Sequence, residues 1–215
     1  PYRGWRRIWY ELFFSTMPLH KWMITRRARR LHLELHQTDR FNREELDDLQ
    51  SVKLRRIVDQ ANNHSVYYRK RFDELNISPT DIRTISDIAQ LPMLSKNDVR
   101  GNGDDMLADN VPKSQLLKVT TSGSTGEPFT LFADRHQLEL RMATTLRALE
   151  WTGWRFGDRQ ARLWHQTLGM SRSQIIREHI DAWFMRRLFI PAFELNPENL
   201  EKFVDTIRKH RPKLV

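Results

Sequence analysis

Apolar residues recur along this chain with two different periods, and the change from one to the other divides it. Trp5, Ile8, Trp9, Leu12 and Phe13 fall at i, i+3, i+4, i+7 and i+8, a single stripe on a helix. Beyond Pro18 a second segment carries Trp22 and Met23, then the basic cluster Arg26, Arg27, Arg29 and Arg30. Asn42 followed by Glu45 reads as a capping box. Leu46, Leu49, Leu54, Ile57, Val58 and Ala61 supply the apolar face of the helix it opens. "SVYYRKRFDEL" predicts a further helix, ended by Asn76 and Pro79. "TDIRTISDIAQLPMLSKNDVR" predicts two short helices around Pro92, the second capped by Ser95 with Asp98 three positions on. This first part is helical with short breaks and contains no repeat.

Near residue 116 the period shortens. "LLKVTTS" is β-prone, and in "PFTLFAD" Phe129, Leu131 and Ala133 alternate with Thr130 and Phe132. Two such runs around a loop predict a strand–loop–strand hairpin. Asp134 then caps a helix with Leu138, Met142, Leu146 and Leu149 on its apolar face. "RQARLWH" predicts a strand, a helix follows near 171–186, and "RLFI" is a short extended run. Asn196-Pro197 opens a last helix with the cap residue before proline at the first helical position. The sequence given ends in "RPKLV", where another strand is expected to begin, so a larger domain is expected.

Composition narrows the class. Hydrophobic residues make up 39% and charged residues 29%, as in a globular protein with a real core. The absence of cysteine removes disulfides, thiolate catalysis and Cys-based zinc sites. A net charge of +9 favours anionic partners, but acids such as those in "EELDD" are interleaved with the bases. No zinc-finger, RNP-like or helix-turn-helix spacing accompanies that charge, and no nucleic-acid partner is expected.

The N-terminal run has bases before apolar residues, yet Glu11 interrupts it and no small-residue cleavage site follows. No targeting segment or membrane span is expected there. Aromatic residues beside a polybasic stretch can also lie on an anionic membrane surface, which makes residues 1–30 a candidate for peripheral contact. The ordinary alternative is a stripe that packs on the fold and arginines that face water. His32 and His36, spaced i, i+4, share a helix face, but H-E-x-x-H is absent and no third ligand is evident. They read as exposed histidines on a basic helix, and no metal site is expected.

The most distinctive stretch is "VTTSGSTGEPF", residues 119–129. Successive amides of Gly, Ser and Thr residues can curl into a nest that holds an anion without side-chain charge. Gly123 and Gly126 allow close approach and positive φ, while Ser122, Ser124 and Thr125 bring rotatable hydroxyls. No lysine follows Gly126, so this is not a Walker A loop. The residue types alone leave two readings open: an anion-binding loop and a flexible hairpin tip.

Thr121-Ser122-Gly123-Ser124-Thr125-Gly126-Glu127-Pro128 resembles, in order, the phosphate-loop signature of adenylate-forming enzymes, the group of acyl-CoA synthetases, luciferases and adenylation domains. Most members place lysine after the proline, where this chain has Phe129. That departure is similar to the phenylacetate–CoA ligase branch with its CapK-like relatives. Residues 67–100 also resemble a segment which that branch carries upstream of the loop, with Ile88, Leu91, Pro92, Lys96, Asp98 and Arg100 in matching places. "ENLEKFVDTIRKHRPKLV" is similar to the helix and strand start that follow in CapK-like members. The resemblance covers residues 43 to 215 and is strongest over 67–134.

The resemblance implies an α/β fold, with a helical N-terminal region leading into the first part of the adenylate-forming large domain. Residues 1–42 would be a basic, aromatic helical segment, and 43–215 the first half of that domain, with the phosphate loop at 120–128. It implies ATP with Mg²⁺ and a small-molecule carboxylate as ligands, and coenzyme A or another acceptor for the acyl group. Thr121, Ser122, Gly123, Ser124, Thr125 and Gly126 would contact phosphate, Ser124 and Thr125 through their hydroxyls. Glu127 would sit exposed at the tip, and His165 lies where the family's acyl-pocket segment begins. No catalytic residue is assigned. The family's aromatic-Gly-x-Thr-Glu and Tyr-x-Thr-Gly-Asp segments do not occur in these residues, and neither does its C-terminal domain with the catalytic lysine. A cytoplasmic setting, with or without peripheral membrane contact, and a role in capsule or polysaccharide biosynthesis are the further expectations.

Overall fold

The computed structural model describes residues 2–20, 27–121, 128–164, 171–192 and 196–215. Packing divides the chain into two compact units, Pro1–His36 with His136–Val215, and Gln37–Arg135. The N-terminal helix thus belongs to the same unit as the C-terminal part of the chain.

In the first unit, α1 (Trp5–His20) runs on past Pro18, and α2 (Arg27–Thr38) follows. The face of α1 that enters the core is Tyr10, Phe13, Phe14 and Met17, joined by Tyr2; of the stripe that starts at Trp5 only Phe13 is in it, with Trp9 partly buried against it. Trp5, Ile8 and Leu12 stay exposed at 53%, 72% and 43%. Both stripes have helical spacing and share Phe13, and the ring of Phe156 turns the Tyr10 side inward by packing on Tyr2 and Tyr10. Burying each such aromatic side chain contributes about 1.5–3 kcal/mol. The Trp9 indole N–H donates to the Phe184 carbonyl at 2.8 Å and ties α1 to a later helix of this unit.

The second unit holds α3 (Arg43–His64), α4 (Val66–Leu75) and α5 (Lys96–Gly101), with 3₁₀ turns at Pro79–Asp81 and Ile85–Gln90. The capping box of Asn42 and Glu45 is formed in both directions. Ser65 closes α3 and opens α4. Its Oγ accepts from the Tyr68 N–H and donates to the Asp105 carbonyl. Asn76 ends α4 in the left-handed region at φ 51°, a conformation asparagine tolerates better than most residues. Val58, Phe72 and Ile82 form the small core of this unit. Its sheet is a hairpin of β1 (Leu117–Thr120) and β2 (Thr130–Ala133).

The chain re-enters the first unit with α6 (Arg135–Trp151), whose Leu138 and Leu146 are buried as the periodicity predicts, with Met142 and Leu149 partly buried. Next come β3 (Gln160–Trp164), α7 (Arg172–Phe184), β4 (Arg187–Pro191) and α8 (Pro197–His210). β3 and β4 pair in parallel from Gln160↔Arg187 to Trp164↔Pro191, with α7 as the crossover. On the other side of β3, Leu214 bridges Gln160 in parallel, and the Ala161 N–H donates to the Leu214 carbonyl at 2.8 Å. The extended start expected in "RPKLV" is therefore present. Asn196 caps α8 through the Asn199 N–H, as Asn196-Pro197 predicts. The fold is mostly helical with two small sheets, as a helical region leading into an α/β layer requires.

Candidate functional site

The hairpin of the second unit sets the geometry of the Gly/Ser/Thr segment. β1 and β2 are antiparallel with Leu117 opposite Ala133 and Thr120 opposite Thr130. One step beyond the last pair, the Thr121 N–H donates to the Phe129 carbonyl at 2.9 Å. The Phe129 N–H returns a bond to Thr121 Oγ1 at 3.1 Å. The hydroxyls of Thr120 and Thr130 lie 3.3 Å apart across the same neck. The two ends of the segment are therefore held together by backbone and side chain. Ser122, Gly123, Ser124, Thr125, Gly126 and Glu127, and also His165, lie outside the described residues. Of the expected phosphate-contacting residues, Thr121 is the one the structure places. Its oxygen accepts from Phe129 while its hydroxyl proton is left for another acceptor.

Beside that neck a polar cleft of about 630 Å³ opens between β2 and the end of α5, lined by Arg100, Asn102, Asp104, Pro128, Thr130 and Phe132 among others. Ser95 fixes the start of α5. Its hydroxyl donates to the Asp98 carboxylate at 2.5 Å, and the Ser95 N–H does so at 2.8 Å. These two bonds hold the Asp98 carboxyl below the usual carboxylate range. The cleft has the size of small-molecule sites. Lys113 and Asp104 pair at 2.9 Å near its rim. Ser95, Asp98 and Arg100 were legible in the sequence for other reasons, but not that the turn after α5 lines one cleft with Pro128, Thr130 and Phe132. The Gly-rich "RGNGDD" after a capped helix was the available signal.

The first unit gathers a different cluster. His32 is completely buried, which corrects its reading as exposed. Its Nδ1 lies 2.7 Å from the Tyr10 hydroxyl, and its Nε2 lies 3.2 Å from Glu150 Oε2. His36 Nε2 lies 2.9 Å from the same Glu150 oxygen. The Tyr2 hydroxyl donates to the other oxygen, Glu150 Oε1. Burial pushes the Glu150 carboxyl up, but hydrogen bonds from His32 and Tyr2 and the nearby imidazoles outweigh it and hold the carboxyl below its ordinary value. Burial raises the phenols of Tyr2 and Tyr10, and the nearby Glu150 charge adds to the effect.

No family model matches the chain. Among curated proteins it is 29% identical over 127 residues to a phenylacetate-coenzyme A ligase of Aromatoleum evansii, covering 58% of this chain and 28% of that protein. It is 23% identical over 174 residues to protein CapK of Staphylococcus aureus, covering 79% of this chain and 37% of CapK. With the phenylacetate-coenzyme A ligase of Escherichia coli it shares 34% identity over 87 residues, 40% of this chain and 20% of that one. This chain is a relative of the adenylate-forming enzymes, in their phenylacetate–CoA ligase and CapK branch. Solved structures of an adenylate-forming 2-hydroxyisobutyryl-CoA ligase have the same fold. One in the postadenylation state with 2-HIB-AMP superposes with a TM-score of 0.54 at 20% identity, covering 80% of this chain and 36% of that one. An open conformation with 2-HIB-AMP and CoA also gives 0.54, at 21% identity and 80% and 40% coverage. The chain thus spans 20% to 37% of the curated relatives' length cited above.

Proposed function

We propose that this chain is the ATP-binding part of an adenylate-forming ligase that activates a carboxylate for transfer to coenzyme A or another acceptor. The observation that supports the proposal is the signature Thr121–Pro128 in the sequence between two paired strands, whose neck is closed by Thr121 and Phe129. In this reading residues 43–215 form the first half of the large domain, and Thr121 to Gly126 wrap the β- and γ-phosphates of the Mg²⁺·ATP substrate. A carboxylate oxygen bonds to the α-phosphorus while the bond from that phosphorus to the pyrophosphate oxygen breaks. Pyrophosphate departs with the electron pair. The thiolate of coenzyme A then attacks the acyl carbon and AMP leaves. The part assigned to this chain is positioning and charge neutralisation. Phe129 stands where most relatives have lysine, so the grip rests on amides and hydroxyls and on the metal that accompanies ATP.

The relatives' CoA chemistry supports a cytoplasmic setting, and the similarity to CapK supports a role in capsule or polysaccharide synthesis. Carboxylate-dependent exchange of pyrophosphate into ATP by the complete protein tests the reading. Exchange with an aromatic or small aliphatic acid is expected, and its absence across a carboxylate panel overturns the proposal.

A second reading is a peripheral membrane or assembly module, and it rests on the exposed Trp5, Ile8 and Leu12 of α1. Arg29 and Arg30, however, pair with Glu11 at 2.5 Å and Glu34 at 2.7 Å, which lowers the charge they offer a membrane. No helix among the described residues is long and apolar enough to cross one. Co-sedimentation with anionic vesicles that is lost on replacing Trp5 and Ile8 by serine would favour this module.

A further inference from the structure

We propose that His32, His36 and Glu150 form a binding site for a divalent transition-metal ion, best suited to zinc, separate from the phosphate loop. Spacing i, i+4 puts both imidazoles on one face of α2, with ring centroids 4.7 Å apart. Glu150, near the end of α6, meets them from another helix of the same unit. One ligand atom from each residue lies within 4.8 Å of the other two.

The distances are close to what a metal requires. Zinc binds imidazole nitrogen and carboxylate oxygen at about 2.0–2.2 Å, so tetrahedral ligand atoms sit roughly 3.2–3.6 Å apart. The observed separations from Glu150 Oε2 are 3.2 Å to His32 Nε2 and 2.9 Å to His36 Nε2. Adjustments of a few tenths of an ångström admit the ion along both edges. Two histidines and one glutamate are also a donor set zinc commonly takes, and it needs no thiolate in a chain without cysteine.

The atoms behind the ligands are arranged for this purpose. Tyr10 OH engages His32 Nδ1 at 2.7 Å; when an ion displaces the Nε2 proton that otherwise faces Glu150, Nδ1–H donates to Tyr10 and the Nε2 lone pair faces the ion. Tyr2 holds Glu150 Oε1 and turns Oε2 inward. Such outer contacts fix the orientation of metal ligands and set their basicity. The His32 side chain is 0% exposed and that of Glu150 6%, whereas that of His36 is 30% exposed. An ion therefore has a route in on the His36 side, and three protein ligands leave a fourth position for water or a small anion. Bound there, it clips α2 to α6.

The test uses the untagged full chain, stripped of metal by chelation and titrated with Zn²⁺ in a calorimeter. One equivalent should bind, and Co²⁺ in its place should give the intense visible bands of a four-coordinate site. His36→Gln, on the more exposed ligand, should weaken binding by about a hundredfold or more. His179→Gln, an exposed histidine elsewhere, should leave it unchanged. Zinc should raise the Tm of the parent chain and not that of His36→Gln. Absence of binding, or equal binding by His36→Gln and the parent, overturns the proposal. If His36→Gln does not fold, X-ray absorption at the zinc edge of the parent chain decides. Two imidazoles with the remaining ligands oxygen support the site, and fewer than two overturn it.

Discussion

Thr121 and Phe129 bond to each other twice, from backbone N–H to carbonyl at 2.9 Å and from backbone N–H to hydroxyl at 3.1 Å. The second bond depends on a side chain. Thr121→Val keeps the β-branched shape and removes the acceptor, so the neck should loosen by about 0.5–1.5 kcal/mol. Hydrogen exchange at the Phe129 amide reads this directly and should accelerate up to about tenfold, with global stability little changed. Unchanged exchange at Phe129 would show that the strands alone hold the neck.

Asp158 accepts from Arg6 at 2.6 Å, the Arg155 N–H at 2.8 Å and Lys213 at 3.2 Å, tying α1 to the C-terminal extended segment of the first unit. Burial pushes its carboxyl up, but Arg6, the Arg155 N–H and Lys213 together hold it below the ordinary value. A carboxyl lowered in the folded state contributes stability that is present above its ordinary pKa of 3.8 and is lost as pH falls through the folded value. Asp158→Asn should cost about 1–3 kcal/mol at neutral pH and flatten the acid limb of the stability curve. Urea unfolding at a series of pH values measures both effects.

Gly157 has φ +89°, and an added Cβ would lie 2.7 Å from Cη2 of Trp5. The Trp5 ring is half exposed and can swing aside, but the left-handed backbone cannot be relieved. Gly157→Ala should therefore cost about 1–2 kcal/mol even when Trp5 is also replaced by alanine. A loss that disappears in the double variant would place the whole cost in the ring contact.

The parts of this fold legible in the sequence are those set by neighbours in the chain. The caps at Asn42, Ser95 and Asn196 form as read, because each is settled within four residues. The hairpin around 119–129 was equally readable, since β-prone runs flank one loop and fix its ends. The core face of α1 was not, because Phe156 selects it from far along the chain by packing on Tyr2 and Tyr10. His32 hid its role for the same reason: Glu150, its partner, stands 118 positions away. An i, i+4 histidine pair shows two ligands, and no local pattern shows the third.

The loop itself carries the central claim, and a Gly123→Val, Gly126→Val double variant of the complete protein tests it most directly. Valine fills the space an anion would use and opposes the positive φ that glycine allows. The account predicts that carboxylate-dependent pyrophosphate exchange into ATP falls by at least about a hundredfold while the circular dichroism and melting curve stay near those of the parent. Exchange at the parental rate in that folded double variant would contradict it.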